Sequence, residues 1–262
     1  MGAVVIVTGG SGGIGLEAVR ALRARGCRVY SLSRRAAPED PFHLSADVAD
    51  AAAVKAAVDA VVAREGRLDV LVNDAGFGIS GAVEFTDPAD SHRLMEVNLF
   101  GMDNAVRAAL PHMRAAGRGR IVSVSSVAGV FPIPFQAWYS ASKAAVRAMT
   151  VALANEVAPY GVTVCDVAPG DIRTGFTAAR EKSALGDDAY GGRIARSVAR
   201  MEKDEQNGMD PAVAGRFIAD VALRRRVKPH YTVGLSYKLL VFLDRLLPCG
   251  LTRRLLYLLY AK

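Results

Sequence analysis

Short apolar runs rich in β-branched residues alternate along this chain with longer stretches in which apolar residues recur every three or four positions. The short runs predict strands over residues 4–8, 29–32, 68–73, 121–125 and 162–168. The longer stretches predict helices over residues 14–25, 51–64, about 88–116 and 139–158. Because the runs are apolar on both faces, the strands should be covered on both sides. The alternation therefore predicts an α/β fold, a doubly wound parallel sheet of about seven strands with helices on both faces.

Turn and capping residues indicate where some of these helices begin and end. Gly26 and Gly66 follow the first two predicted helices, where a residue in the left-handed conformation commonly ends a helix. Asp87 and Asp210 each precede a proline, the arrangement of an N-cap residue before proline at the first helical position. These residues support the predicted alternation of elements.

The chain of 262 residues has the length of one large domain. Its 51% hydrophobic and 23% charged residues suffice for a sizeable core and exclude a disordered chain. Residues 177–208 are polar and lack strong strand signals, so we expect helices outside the sheet that form a substrate lid. Residues 236–262 form an apolar tail, predicted to be two short helices. We interpret residues 1–262 as a single domain that includes this lid and tail.

Charge and cysteine content narrow the functional class and the compartment. The formal net charge of +7 allows attraction to phosphates or anionic lipids, but no aromatic and basic stripe indicates nucleic-acid binding. The arginines at positions 224–226 are interpreted as a solvated helix end. The three cysteines and four histidines lack the spacing of disulfides or of a metal site. The apolar N-terminal run is too short for a signal peptide, and no run of about 18 apolar residues could span a bilayer. A cytoplasmic protein without a metal is therefore predicted.

A glycine-rich turn follows the first predicted strand and opens the first predicted helix. Its framework, Thr-Gly-x-x-x-Gly-Ile-Gly, is carried by Gly9, Gly13 and Gly15. Glycines there would let the backbone approach a pyrophosphate, whose charge is favoured by exposed N–H groups and the helix dipole. A tight turn without a ligand would also explain the glycines, so other residues must decide between the two interpretations.

The same turn also fits the G-x-S-x-G nucleophile elbow of serine hydrolases, with Ser11 as the nucleophile. Asp166 or Asp171, followed by His230, would complete the chain order Ser, Asp, His. The elbow would, however, follow the first strand, where no earlier strand or loop could supply the second oxyanion donor. The hydrolase is therefore the weaker alternative.

A second group of polar residues suggests acid–base chemistry. Ser126 precedes Tyr139 by 13 positions, and Lys143 follows Tyr139 by four, so the tyrosine and lysine share one face of a predicted helix. A nearby ammonium should lower the pKa of the phenol from its usual value of about 10. Tyr139 could then exchange a proton with a substrate oxygen to which Ser126 donates a hydrogen bond.

Six segments occur in the order typical of one enzyme family. They are Thr8 to Gly15, Asp47 with Val48, Asn73 to Gly76, Asn98, the set Ser126, Tyr139 and Lys143, and Pro169 to Thr174. On these segments the sequence resembles the short-chain dehydrogenase/reductase family, as a hydroxysteroid-dehydrogenase-like member, over nearly the whole chain. The resemblance implies a Rossmann-type fold and an NAD(P)-dependent enzyme that interconverts a secondary alcohol and a ketone. A non-catalytic nucleotide-binding module is the other alternative.

The resemblance also implies a role for each matching residue. Tyr139 would exchange the proton with the substrate oxygen, and Lys143 would lower the pKa of Tyr139 and bind the nicotinamide ribose. Ser126 would orient the substrate carbonyl, and Asn98 would hold a water. The implied cofactor-binding residues are Gly9, Ser11, Gly13, Ile14, Gly15, Asp47, Val48, Asn73, Ala75, Gly76, Tyr139, Lys143, Pro169, Gly170, Ile172 and Thr174. One position departs from the family pattern, because Asp74 replaces the second asparagine of Asn-Asn-Ala-Gly and adds a carboxylate.

The end of the second predicted strand bears on the choice of nucleotide. An acidic residue there would hydrogen-bond the ribose 2′-hydroxyl of NAD, whereas this strand ends in Ser33, Arg34 and Arg35. Guanidinium groups can pair with a 2′-phosphate through charge-assisted hydrogen bonds. NADP(H) is therefore predicted as the preferred cofactor, with NAD(H) as an alternative, and reduction as the direction in the cell.

Apolar residues suggest the kind of substrate and partner. A hydrophobic steroid-, retinoid- or acyl-like ketone or alcohol would suit the residues predicted to line the cleft, Phe131, Ile133, Phe135 and Phe176. The leucine-rich tail must cover something, and we favour the cleft mouth or a subunit contact over a peripheral membrane contact. A homodimer or homotetramer is implied by the resemblance.

Overall fold

Seven parallel strands form the central sheet of the computed structural model, which describes residues 2–35, 37 and 39–262. The strands of this sheet are β1 (Val4–Thr8), β2 (Arg28–Ser33), β3 (His43–Ser45), β4 (Val70–Asn73), β6 (Gly119–Val124), β7 (Val162–Pro169) and β9 (His230–Val233). Their order across the sheet is β3-β2-β1-β4-β6-β7-β9. The predicted doubly wound parallel sheet of seven strands is confirmed.

Ten helices accompany the strands in the described part of the chain. They are α1 (Gly13–Ala24), α2 (Ala51–Glu65), α3 (Pro88–Met95), α4 (Gly101–Ala115), α5 (Ala137–Val157), α6 (Phe176–Ala179), α7 (Arg193–Gln206), α8 (Pro211–Leu223), α9 (Leu235–Asp244) and α10 (Cys249–Tyr260). Helices α2, α4 and α5 pack on one face of the sheet, and α1 and α8 pack together on the other. Two separate apolar cores result, which explains why the strands are apolar on both faces.

The capping predictions agree with the structure. The side chains of Asp87 and Asp210 accept hydrogen bonds from the backbone N–H groups two residues later, at the starts of α3 and α8. Gly66 ends α2 with φ of 72°, in the left-handed region that favours glycine. These short-range signals were readable because each depends on neighbouring residues alone.

Two edge strands were not predicted individually. Strand β3 has three residues, none of them buried, and β9 alternates between buried and half-buried positions. Each joins the sheet beside a strand that the sequence did predict, β2 or β7. A search for apolar runs does not find strands this short and of mixed polarity. Whether these residues form strands depends on pairing with the neighbouring strand of the sheet.

Residues 177–208 and the tail lie outside the main sheet. The first region contains most of α6, the helix α7, and a two-residue strand β8 (Glu181–Lys182) that pairs with β5 (Ile79–Ser80). The tail, counted from Leu235 where α9 begins, consists of α9 and α10 with residues 245–248 between them, so the two predicted short helices are present. Within the described residues, no helix combines the length and apolarity needed to cross a bilayer.

Candidate active site

The carboxyl ends of the central strands bring the predicted motifs to one edge of the sheet. The register aligns Thr8 of β1 with Asn73 of β4, Asn73 with Ser123 of β6, and Ser123 with Asp166 of β7. The glycine turn, the Asn73–Gly76 segment, Ser126 and the Pro169–Gly170 pair follow these positions. In open parallel sheets this edge is the usual place of a ligand site.

The glycine turn is shaped by close backbone contacts. Gly9 and Gly13 have φ values of 72° and 53°. A Cβ on Gly15 would lie 2.5 Å from the carbonyl oxygen of Gly9, closer than any side chain can approach. The Thr8 hydroxyl accepts hydrogen bonds of 3.2 Å from the backbone N–H groups of Asp74 and Ala75, which ties the turn to the end of β4. Ser11 is half-buried in the turn, and Ile14 packs into the core beneath α1.

Asn98 is held rigidly in a π-helical turn between α3 and α4. Its amide nitrogen donates to the Phe77 carbonyl oxygen (3.0 Å) and to the Ser142 hydroxyl (3.1 Å). Its amide oxygen accepts from the Phe77 N–H at 3.0 Å. Asn98 therefore has one fixed orientation. A Cβ on Gly76 would lie 2.9 Å from the Asn98 amide oxygen, which explains the glycine.

Lys143 is buried beside Asn98, and its ammonium donates to the Val124 carbonyl oxygen at 3.0 Å. Burial, which disfavours the charged form, is the main cause of a lowered pKa of this lysine. A small cavity next to the ammonium is lined by Thr8, Asn73, Ala75, Asn98, Met102, Val124, Lys143 and Val146. The structure therefore brings together the asparagine and lysine that are 45 positions apart in the sequence.

Tyr139 lies on α5 one turn before Lys143 and beside Ser126. The Ser126 hydroxyl accepts a hydrogen bond of 3.1 Å from the Ala128 N–H, which fixes its position at the start of a short 3₁₀ turn. Burial raises the pKa of Tyr139 to about 12, although the hydrogen bond with Ser126 lowers it. The expected lowering of this pKa by Lys143 is therefore wrong for the structure as it stands. The sequence argument counted the neighbouring charge and omitted the cost of burying a phenolate.

Asp74, the departure from the family pattern, lies against the glycine turn and near Lys143. Its carboxylate oxygen is 2.7 Å from the position that a Cβ of Gly15 would occupy. Burial raises the pKa of Asp74, while the Lys143 charge and a hydrogen bond from the Gly15 N–H lower it. The carboxylate in turn raises the pKa of Lys143. Asp74 thus favours the protonated lysine, which an asparagine could not do.

The Asp74→Asn variant should change how stability depends on pH. Because the folded carboxyl has a raised pKa, it binds a proton that the unfolded chain releases above its usual pKa of 3.8. The wild-type free energy of unfolding should therefore fall relative to that of the variant as pH rises from about 4 to about 7, by at least about 1.4 kcal/mol, the equivalent of one pKa unit. Urea unfolding at several pH values measures this difference. The matched control is Asp220→Asn, a surface carboxylate paired with Arg25; equal pH slopes for Asp74→Asn and wild type would contradict the expectation.

The end of β2 presents two arginines to solvent beside the loop that follows β3. Arg34 is 77% exposed, and a nitrogen of its guanidinium lies 4.0 Å from a carboxylate oxygen of Asp47. Arg35 is also exposed, and the Ser33 hydroxyl donates to its carbonyl oxygen at 3.3 Å. Val48 is buried against Gly101. The residues predicted for the adenosine end therefore lie together at the edge next to the glycine turn.

The segment after β7 closes the site from the other side. Ile172 bridges to Met209, and the Thr174 hydroxyl accepts from the Phe176 N–H at 3.1 Å. A Cβ on Gly13 would lie 3.7 Å from the Thr174 side chain, so this segment faces the glycine turn. A Cβ on Gly170 would clash with the ring of Tyr237 in α9. The predicted residues Pro169, Gly170, Ile172 and Thr174 thus border the same cleft.

Two observations indicate that these residues fit a nicotinamide dinucleotide. Both the nitrogen and the oxygen of the Asn73 amide are buried without a hydrogen-bond partner among the described residues, at the end of β4 beside the cleft. Such a group normally has a partner, and a bound ligand could supply one. Gly12, the N-cap residue of α1, is open, because a Cβ there would meet no other atom within 4 Å, so a phosphate could closely approach the first N–H groups of the helix.

A buried ion pair beside Tyr139 was not singled out from the sequence. The Arg180 side chain is fully buried and pairs with Glu205, which also accepts from the Thr177 hydroxyl at 2.6 Å. The ring of Phe176 lies 5.5 Å from both the Tyr139 ring and the Arg180 guanidinium. Two Arg180 nitrogens, Nε and one terminal nitrogen, lack partners within the described residues. No local motif marks this arginine, because only folding brings residues 139 and 180 together.

The geometry excludes the serine hydrolase. His230 contacts Asp166, and Asp166 also accepts from the Ser125 hydroxyl. Strand β9, which carries His230, is four strands away from β1, a separation of about 19 Å at the usual strand spacing. Ser11 follows β1 and is therefore far outside the hydrogen-bonding reach of this histidine.

The fold and the site define a Rossmann-type oxidoreductase class. The family model described as short chain dehydrogenase matches residues 3–184, and the chain belongs to the short-chain dehydrogenase/reductase family. This family uses NAD(P)(H) and acts on small molecules, so the predicted class of enzyme is confirmed.

Three similar proteins illustrate the relationship. The chain is 40% identical over 228 residues to a 3-ketodihydrosphingosine reductase of Bacteroides thetaiotaomicron, covering 85% of this chain and 84% of the relative. The crystal structure of a short-chain dehydrogenase from Streptomyces avermitilis is 32% identical, with a TM-score of 0.83, and the match covers 94% of this chain and 93% of that one. The structure of ElxO with NADP bound is 26% identical, with a TM-score of 0.75, over 91% of this chain and 99% of that one.

Proposed function

We propose that this protein is an NADP-preferring reductase that converts a hydrophobic ketone to a secondary alcohol. The observation that carries the proposal is the cluster at one edge of the sheet in which buried Asn98 and Lys143 lie with half-buried Ser126 and Tyr139. Turnover is favoured over a non-catalytic nucleotide-binding module because this chain retains all four side chains in one cluster. A polar set of this kind in a core is costly unless it serves a function.

The chain's own residues would prepare and deliver the proton. In the reduction, Tyr139 would donate its hydroxyl proton to the carbonyl oxygen, which Ser126 would orient by a hydrogen bond. A pKa of about 12 keeps this phenol protonated at neutral pH, the form needed for the reductive direction. Asn98 would hold a water in the cavity beside Lys143, so that the proton can be replaced from solvent. When bound, the nicotinamide supplies the hydride.

The cofactor would be held along the edge already described. The glycine turn with Ser11 and Ile14 would take the pyrophosphate, while Asp47 and Val48 would contact the adenine. The nicotinamide end would be held by Asn73, Ala75, Gly76, Lys143, Pro169, Gly170, Ile172 and Thr174. Arg34, with Ser33 and Arg35, would bind the 2′-phosphate, because the exposed guanidinium groups are next to the turn.

For the substrate, we propose a long-chain or otherwise apolar ketone that carries an oxygen-containing group near the carbonyl. Similarity to the 3-ketodihydrosphingosine reductase supports a long-chain 3-keto compound over a steroid, although a hydroxysteroid type stays a prediction. The apolar part would contact Phe131, Ile133, Phe135 and Phe176, which are half-buried. The unpartnered nitrogens of Arg180 would bind the oxygen group. Helices α6 and α7 would form the substrate lid.

The direct test is a panel of ketones, followed by loss of NADPH or NADH absorbance. Long-chain 3-keto compounds, cyclic ketones and steroid ketones should be compared at equal solubility. Turnover of at least one class with NADPH supports the proposal. Nucleotide binding without turnover of any ketone or alcohol would favour the binding module. The cytoplasmic location and the homodimer or homotetramer stay predictions, which cell fractionation and light scattering test.

Replacing Arg180 by methionine should weaken binding of substrates that carry the oxygen group. The KM for such a ketone should rise about tenfold or more, because a hydrogen bond to a charged group contributes about 1.5–3 kcal/mol. The KM for a simple ketone of equal length should stay nearly unchanged. Steady-state kinetics on the two ketones measures the difference.

The control for this variant must allow for the pairing with Glu205. Arg180→Met leaves a buried carboxylate unpaired, so the double variant Arg180→Met/Glu205→Gln removes that charge as well. Nucleotide affinity reports whether the fold is intact. An equal rise in KM for both ketones would show that Arg180 supports the structure of the cleft and does not bind the oxygen group.

A further inference from the structure

The two tail helices present a row of apolar side chains to solvent. Leu235 is 83% exposed, Leu246 is 66% exposed and Phe242 is 58% exposed. In all, eleven large apolar residues of the tail are exposed: Leu235, Leu239, Leu240, Phe242, Leu243, Leu246, Leu251, Leu255, Tyr257, Leu258 and Leu259. Isolated exposed leucines are ordinary, but this many exposed large apolar residues within two short helices indicate an interaction surface.

A different face of the same helices already binds the body of the protein. The Tyr237 hydroxyl donates to Asp171 at 2.6 Å, and the Tyr260 hydroxyl donates to Asp204 at 3.3 Å. Val241 is buried between these contacts. The tail therefore touches the cleft side of the molecule, as the sequence analysis favoured, yet this contact uses its inner face only.

Helical geometry separates the two faces of α10. Thr252, Leu256 and Tyr260 recur every four residues and are half-buried against the body. Leu251, Leu255, Leu258 and Leu259 follow the spacing of a second stripe, rotated by roughly 100° from the first. In α9 the exposed Leu235, Leu239 and Phe242 lie opposite Tyr237 and Val241 in the same way. We call the exposed stripes of α9 and α10 together the outer leucine face.

The charges around this face decide between two occupants. Five basic residues lie in the tail, and the single acidic residue, Asp244, is half-buried; the basic residues are Lys238, Arg245, Arg253, Arg254 and Lys262. A second copy docked by this face on a two-fold axis would bring like charges together. An anionic lipid surface would instead complement the charge while it accepts the leucines.

We propose that the outer leucine face lies on the surface of a bilayer that contains anionic lipid. The leucines enter the boundary between headgroups and acyl chains, and the arginines and lysines contact the anionic headgroups. The short helices lie on the bilayer without crossing it. This inference does not depend on the reaction that the protein catalyses, because it uses none of the site residues.

The test is co-sedimentation of the full-length protein with vesicles of phosphatidylcholine, with and without phosphatidylglycerol. We expect binding to the anionic vesicles that weakens at high salt, and much weaker binding to phosphatidylcholine alone. The variant Arg253→Gln/Arg254→Gln should lose roughly tenfold or more in affinity for the anionic vesicles. The remaining vesicle binding of this variant should depend little on salt, and its circular dichroism spectrum should match that of the wild type.

The leucines need a separate variant with a matched control. Leu255→Ser/Leu258→Ser should reduce vesicle binding roughly tenfold or more, because the variant lacks two leucine side chains that would be buried in the lipid. The control Val83→Ser/Leu223→Ser removes two exposed apolar residues outside the tail and should bind as wild type. Failure of the wild type to bind either vesicle overturns the proposal. Light scattering then distinguishes a second copy, since Leu255→Ser/Leu258→Ser would dissociate a dimer formed through this face.

Discussion

Replacing Tyr139 by phenylalanine should remove nearly all turnover of the ketone while nucleotide affinity stays almost unchanged. The change deletes the hydroxyl that would protonate the carbonyl oxygen, and it leaves the ring packed against Phe176. General acid–base groups contribute about 10²–10⁴-fold to the rate, so kcat should fall by at least a hundredfold. Single-turnover measurements with saturating NADPH separate this loss from substrate binding.

Lys143→Ala provides the comparison for this variant. Because Lys143 would contact the ribose and lies beside the cavity whose water would replace the proton, its loss should lower kcat and weaken nucleotide binding together. It also removes the hydrogen bond to the Val124 carbonyl oxygen, so stability must be checked by thermal unfolding. A Tyr139→Phe enzyme that keeps more than about a tenth of wild-type kcat would contradict the acid role of this tyrosine.

Wild-type protein should bind NADPH more tightly than NADH, and the variant Arg34→Ala/Arg35→Ala should lose most of that preference. A charge-assisted hydrogen bond to a phosphate contributes about 1.5–3 kcal/mol, so NADPH affinity should fall at least about tenfold when both guanidinium groups are removed. NADH affinity should change little, because it lacks the 2′-phosphate. Fluorescence titration of both nucleotides measures the two affinities.

A surface arginine elsewhere controls for the change in net charge. Arg107 on α4 is 76% exposed and pairs with Asp103 within its own helix, so Arg107→Ala should leave both affinities unchanged. Raising the salt concentration should reduce NADPH affinity more than NADH affinity in the wild type. Equal affinities for the two nucleotides in the wild type, or tighter NADH, would refute the predicted preference.

The fold was largely predictable because its main signals are local. Five short apolar runs identified five of the seven strands of the main sheet, and Asp87, Asp210 and Gly66 marked helix ends through contacts with their immediate neighbours. The short strands β3 and β9 were missed, since their burial depends on the strand beside them. Sequence periodicity cannot reveal a strand of three or four mixed residues.

The candidate site was predictable where residues form a motif and unpredictable where the environment decides. The spacing of Tyr139 and Lys143 on one helix was readable, but the direction of the tyrosine's pKa was not. Burial of the phenol and the charge of Glu205 raise that pKa, and both come from tertiary packing. The same holds for Asp74, which is visible in the sequence, whereas its closeness to Lys143 is visible only in the structure.

The sequence by itself determined the class of fold and the place of the glycine turn, and it predicts the acid–base residues, because each rests on residue type and spacing along the chain. Only the tertiary structure decided that Arg180 lies next to Tyr139 and that His230 is out of reach of Ser11. It also separated the two faces of the tail, one against the body and one exposed. The physical reason is the same in each case: burial, pKa and unpartnered polar groups depend on which distant segments meet, and a linear pattern does not contain that information.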